Sequence, residues 1–316
     1  AYTGSETSIT LPSDYEGKNY KIGYRAFYYC SALTSITLPE GVTSIGNCAF
    51  RECYALTSIT LLEGLTSIGD DAFRSCDALT SITIPEGVTS IGDYAFYDCS
   101  SLTSITLPEG LTSIGDSAFY GCWELESVVL PDSLTKISCN AFEDCQKLAE
   151  ITIPSSVTEI GAEAFKHCRN LTRITLPESI TKIEKSAFEF CYSLTSIEIP
   201  NSVNAIGNGA FFGCHRLTSI TIPEGVTRIA TDTFNACPAL TSITLPASVT
   251  EIARSGLYKN LQTINVPEGM TIGASYASNN GVMGSAALVL AVLTVITWYC
   301  ARNPGFIKGG IAAALL

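Results

Sequence analysis

Residues 79–101 read LTSITIPEGVTSIGDYAFYDCSS, and residues 102–122 repeat the sentence almost unchanged as LTSITLPEGLTSIGDSAFYGC. The copying extends in both directions. Phe recurs at 27, 50, 73, 96, 119, 142, 165, 188, 211 and 234, and Cys at 30, 53, 76, 99, 122, 145, 168, 191, 214 and 237, always 23 residues apart. Ten copies without an insertion leave no room for a domain boundary among them, so the 316 residues are read as a repeat array before any length-based domain count is applied.

Within one copy the apolar positions are Leu79, Ile82, Ile84, Val88, Ile91, Ala95, Phe96 and Cys99, a spacing that no single helix of period 3.6 produces. Pro85-Glu86-Gly87 divides the unit into two short extended pieces, because Pro lacks an amide donor and Gly admits a tight turn. A 23-residue coil cannot bury its own Leu, Ile and Phe. Stacking coils about 4.8 Å apart pairs their strands in parallel and makes one continuous core, which is a solenoid. Counting the partial strands at 8–12 and 261–267 gives about 12 coils and a rod on the order of 55 Å long.

In LTSIT the Leu and Ile point inward and the residues flanking the Ile face out, giving Ser columns (Ser35, Ser58, Ser81, Ser104) beside Thr columns (Thr37, Thr60, Thr83, Thr106). A flat Thr array raises ice binding as a minor alternative to a solubilising surface. The Cys column reads as buried free thiols able to donate weakly to a turn carbonyl, since in-register neighbours near 5 Å do not meet disulfide geometry. Cys48 and Cys139 lie about four coils apart and cannot pair.

The unit resembles the BspA-type leucine-rich repeat, LxxIxLPxxVxxIGxxAFxxC plus two residues, over residues 6 to about 273. The resemblance implies an α/β-type, right-handed leucine-rich solenoid with parallel strands. It also implies a surface-protein context, as adhesin or recognition surface, and brings no catalytic residue. Both ends depart from the pattern. Pro12 to Pro39 spans 27 residues, an enlargement of four around SDYEGKNY, and Leu240 to Leu261 spans 21. These are the atypical terminal coils that protect solenoid ends.

The net charge of −12 argues against a nucleic-acid partner, which needs clustered Lys and Arg. The Glu column of the PEG turns (Glu40, Glu63, Glu86, Glu109) reads as a solvated acidic ridge, lacking the convergent oxygens of a calcium site. His167 and His215, about two coils apart, are too distant to share a metal or act as a catalytic pair and read as surface residues. No catalytic site, metal or cofactor is expected.

If the repeat is frame, information resides where copies differ, and residues 123–216 hold most of the differences. After the Cys stand Trp123, Gln146, Arg169, Tyr192 and His215, with Arg216 following. The outer strand positions become Val129, Glu150, Arg173 and Glu198. These ten residues form the candidate partner surface, for a protein or glycan, because Trp, Tyr and Arg beside acids have the composition of an interface.

After the solenoid (1–273) a linker at 274–281 precedes VMGSAALVLAVLTVITWYCA, 282–301, which is uncharged and long enough at 1.5 Å per residue to span about 30 Å of hydrocarbon as a transmembrane helix. Arg302 and Lys308 in the short tail, 302–316, place that end on the cytoplasmic side and the solenoid on the extracytoplasmic or lumenal side. A removable lipid-anchor signal is the runner-up. The chain begins at Ala1 without Met, as a processed chain or a fragment would. Two functions follow: a membrane-anchored scaffold for adhesion or recognition, or an accessory subunit of a membrane complex. The small residues Gly281, Gly284, Ser285, Ala286 and Ala287 would let the helix pack closely in the second case.

Overall fold

A computed structural model describes residues 2–12, 20–253, 255–257 and 261–265. The expected linker, the transmembrane run 282–301, the tail and the insertion at 13–19 lie outside the described residues. Among the described residues no helix is long and apolar enough to cross a membrane.

The chain winds as a parallel-strand solenoid of about 11 turns. One column of strands carries the SIT segments, from Ser8–Thr10 through Ser81–Thr83 to Thr263–Asn265. A second runs from Tyr20–Ile22 and Val42–Ile45 through the SI segments such as Ser90–Ile91 to Glu251–Ile252. Register is strict: Ser81 pairs with Ser104, Ile82 with Ile105 and Thr83 with Thr106. The shortened last coil keeps the pairing, with Ser242 opposite Thr263. At 195–198 the strand is not formed, although Ile197 stays buried.

Between the columns Pro85 to Val88 closes as a β-turn, Val88 N–H donating to the Pro85 carbonyl at 3.0 Å. The glycines of this column differ in role: Gly41 and Gly64 are left-handed (φ 88 and 99), whereas Gly87 is tightly packed. A Cβ on Gly87 would stand 2.6 Å from the Leu65 carbonyl oxygen of the coil below. Where Ser replaces this Gly, its hydroxyl bonds the equivalent oxygen, as Ser133 does to Leu111 at 2.6 Å.

The α/β expectation needs correction. No helix occurs among the described residues, and the third side of each coil is a run of turns around the Ala-Phe pair. The hydrogen bonds give the reason. Tyr94, Phe96 and Asp98 donate upward, to the carbonyls of Asp116, Ala118 and Tyr120 at 2.7–2.8 Å, while Tyr97 and Cys99 donate within the coil to Tyr94 and Phe96 at 3.1 Å. A helix would commit its amides to carbonyls four residues earlier in the same coil and leave none for the next coil. Alternating them requires two left-handed residues per coil, here Tyr94 (φ 57) and Asp98 (φ 55). The turn side is thus a third inter-coil ladder.

The core lies among these three sides. Leu79, Ile82, Val88, Ile91, Ala95, Phe96 and Cys99 and their equivalents are buried from coil to coil. The Phe rings stack in one file from Phe27 to Phe234, with centroids 5.2–5.8 Å apart and planes within 14°. Offset stacking adds about 0.5–1.5 kcal/mol per pair beyond the area buried.

Candidate functional site

Several columns of the frame's polar surface have a coil-to-coil task. The Thr103 hydroxyl donates to the Thr80 carbonyl at 3.0 Å and Thr112 to Thr89 at 3.0 Å. The Asp93 amide is received by the Asp70 carboxylate at 3.1 Å, and that of Asp116 by Asp93 at 2.7 Å. These columns explain uniform Thr and Asp without a ligand.

The cysteines are equally committed. Each column thiol from Cys53 to Cys237 donates to the Phe carbonyl of the coil below, at 3.1–3.3 Å. Burial raises their pKa values, that of Cys53 to about 12 and that of Cys237 to about 12, which keeps them protonated and unreactive at neutral pH. All the cysteines among the described residues are free.

The irregular coils depart from this economy. After the Cys, a stack runs outward across three coils. The Arg169 guanidinium stands 5.8 Å from the Tyr192 ring centroid on one side, and the His215 ring stacks at 4.5 Å. Arg169, His215 and Arg216 are exposed and Tyr192 is half-buried. Trp123 (49% exposed) begins the same column, and Gln146 bonds back to Asp144 at 3.2 Å.

Beside this stack lies a second, which the sequence reading missed. His167 stacks on Phe190 at 4.7 Å, Phe190 meets Phe212 edge-on at 5.2 Å, and Phe190 meets Tyr192 edge-on at 5.8 Å. The two histidines are therefore linked through Phe190 and Tyr192. His215 is exposed, as expected, but His167 is half-buried and its Nδ1 is buried without a hydrogen-bond partner. The neighbouring turn is held by Lys166, which bonds Glu163 at 2.8 Å and pairs with the buried Glu143 at 3.3 Å. The Lys166 bond, opposed by burial and helped by Lys185, holds the Glu163 carboxyl below the usual carboxylate range.

The strand positions fall in the two outer columns that flank the buried Ile, Glu150 and Arg173 before it and Val129 and Glu198 after it. Val129 (81% exposed), Glu150, Arg173 and Glu198 all face solvent, with Glu150 and Arg173 aligned on adjacent strands. The ten predicted residues thus divide between a strand face and the loop edge after the Cys. Chemically the loop edge offers aromatic edges and guanidinium donors, suited to binding. Among the described residues no group of three or more His, Cys, Asp or Glu could hold a metal ion.

The BspA type leucine rich repeat region model matches the chain at residues 20–149, 112–214 and 181–284. The chain belongs to this family. Among solved structures, this BspA-type chain is similar to a leucine rich cell surface protein from Faecalibacterium prausnitzii A2-165. They share 32% identity over 90% of this chain and 93% of that one, with a TM-score of 0.54. It is also similar to a leucine-rich repeat protein from Bacteroides ovatus, at 30% identity over 83% of this chain and 84% of that one, with a TM-score of 0.53. No curated protein matches the chain.

Proposed function

We propose that this BspA-type chain is a non-catalytic scaffold for adhesion or recognition, which binds a macromolecular partner through the loop edge of its irregular coils. The observation that carries this reading is the Arg169–Tyr192–His215 stack at the surface, built on a frame whose Cys, Asp and inner Thr columns hold coil to coil. Tyr and Arg are the residues that most often anchor interfaces. The Faecalibacterium relative is described as a cell surface protein, and the uncharged run 282–301 followed by Arg302 and Lys308 supports a single-pass anchor with the solenoid outside the cytoplasm. A right-handed winding belongs to the same reading, as parallel crossovers take that hand in nearly all folds.

A photo-reactive phenylalanine in place of Tyr192, with Ser100 of the same column as control, tests the surface on intact cells. Adducts are expected from position 192 and not from 100. Equal yield at both, or none at 192, would remove the proposal.

The small residues from Gly281 to Ala287 favour an accessory membrane-complex subunit as a second reading. Gentle detergent extraction and native-gel mass spectrometry separate the two, since stoichiometric co-migration with integral membrane proteins belongs to the subunit alone.

A further inference from the structure

The geometry points to an acidic segment of another protein as the occupant of the loop edge. This rests on the reading of that edge as a binding surface and adds the chemistry of what it binds. The four segments after the Cys, QKLA (146–149), RNLT (169–172), YSLT (192–195) and HRLT (215–218), contain no Asp or Glu and three permanent cations, in a chain of net charge −12. The corresponding segments of the preceding coils differ: SALT (31–34), YALT (54–57), DALT (77–80) and SSLT (100–103) carry no cation, and WELE (123–126) carries Glu124 and Glu126.

Lys147 is answered by Glu124 at 2.5 Å. Among the described residues neither Arg169 nor Arg216 stands within ion-pair distance of a carboxylate, and both are exposed. The Arg169 guanidinium carbon stands 5.8 Å from the Tyr192 ring centroid, and the exposed group has N–H donors to offer a carboxylate. The remaining charge of the molecule does not forbid an acidic partner, because exposed charges are screened beyond about 8 Å at physiological salt. Arg169 and Arg216 stand two coil spacings apart, about 10 Å, a span that about three residues of an extended chain cover.

A neutral glycan fits less well. Such a ligand would stack on an aromatic face, and the Tyr192 ring is already stacked on His215, with the Arg169 guanidinium carbon 5.8 Å from its centroid. An anionic polysaccharide shares the charge but not the enrichment of Trp, Tyr and Arg at protein interfaces that Trp123, Tyr192 and Arg169 match, so the protein segment is the assignment.

The full chain in detergent is titrated with a fluorescent oligo-glutamate peptide and with oligo-galacturonate of equal charge, at low and physiological salt. Oligo-glutamate should bind in a salt-dependent way and weaken about tenfold in the double variant Arg169→Glu/Arg216→Glu, while Arg169→Lys/Arg216→Lys, which keeps the charge and loses the planar fork, weakens it less. Unaltered thermal stability of the reversed variant shows that the fold is intact. Absent oligo-glutamate binding, indifference to charge reversal, or tighter binding of oligo-galacturonate would each overturn the inference. Adducts at position 192 with a partner lacking acidic segments would overturn it too, yet leave the binding surface standing; no adducts at 192 would remove both.

Discussion

The Cys99 thiol donates to the carbonyl oxygen of Phe73, 3.2 Å away in the coil below, and that oxygen also receives the amide of Cys76 within its own coil at 3.1 Å. One carbonyl thus serves two donors, and the contact recurs along the file. The cysteine column is therefore a fastening between coils that works only while the thiols are protonated.

A pH dependence follows. The nine thiols from Cys53 to Cys237 have folded pKa values raised by burial above the ordinary 9.0. The folded state then binds more protons than the unfolded one, so stability is full below about pH 9 and falls as pH rises toward 12. Each thiol contributes up to about 1.4 kcal/mol per pH unit in that window. Unfolding should be steep and cooperative above pH 9, and circular dichroism across an alkaline titration reads it. A fold unchanged through pH 11.5 would contradict the buried thiol file.

The Phe file can be interrupted at one coil. Phe96 is fully buried between Phe73 and Phe119, with centroids at 5.3 and 5.4 Å. Phe96→Ala should cost about 3–5 kcal/mol through the cavity and the lost stacking. Denaturant midpoints check this, and a loss under 1 kcal/mol would refute it.

Close approach of coils is tested at Gly92. A Cβ there would stand 2.6 Å from the Asp70 amide and 2.6 Å from the Gly69 carbonyl carbon, both backbone. Gly92→Ala should cost about 1–3 kcal/mol despite adding one methyl group.

The left-handed turn positions predict the opposite sign. Ser117 has φ 53, in the column where Gly209 stands, and an L residue there is strained by about 1–2 kcal/mol. Ser117→Gly should be more stable than Ser117→Ala by about 1 kcal/mol in thermal melts, after the entropy of Gly is deducted.

Much of this was legible in the sequence because it was written in columns. Leu79, Ile82, Phe96 and Cys99 repeat at 23 residues, and a position that repeats is solved once for all coils. The departures were less legible. Tyr94, Ser117 and Glu163 share a backbone conformation but no side-chain chemistry, so the left-handed turn, and with it the absence of a helix, left no signal in residue type. Phe190 and Phe212 were overlooked for a different reason. Each stands next to a conserved-looking Phe or Cys column and reads as ordinary hydrophobic filling, whereas their coil-to-coil contacts with His167 and with each other exist only once the register is fixed.

The central claim is that coils copy one another to build a frame and that binding resides where the loop edge breaks the copy. Returning that edge to the regular pattern tests it directly, with Gln146, Arg169, Tyr192 and His215 all replaced by Ser, the residue of the same column at Ser100. The replaced protein should melt within a few degrees of the original, since these side chains lie outside the core, and should lose its partner in capture from intact cells. Undiminished capture by a correctly folded variant would contradict the account.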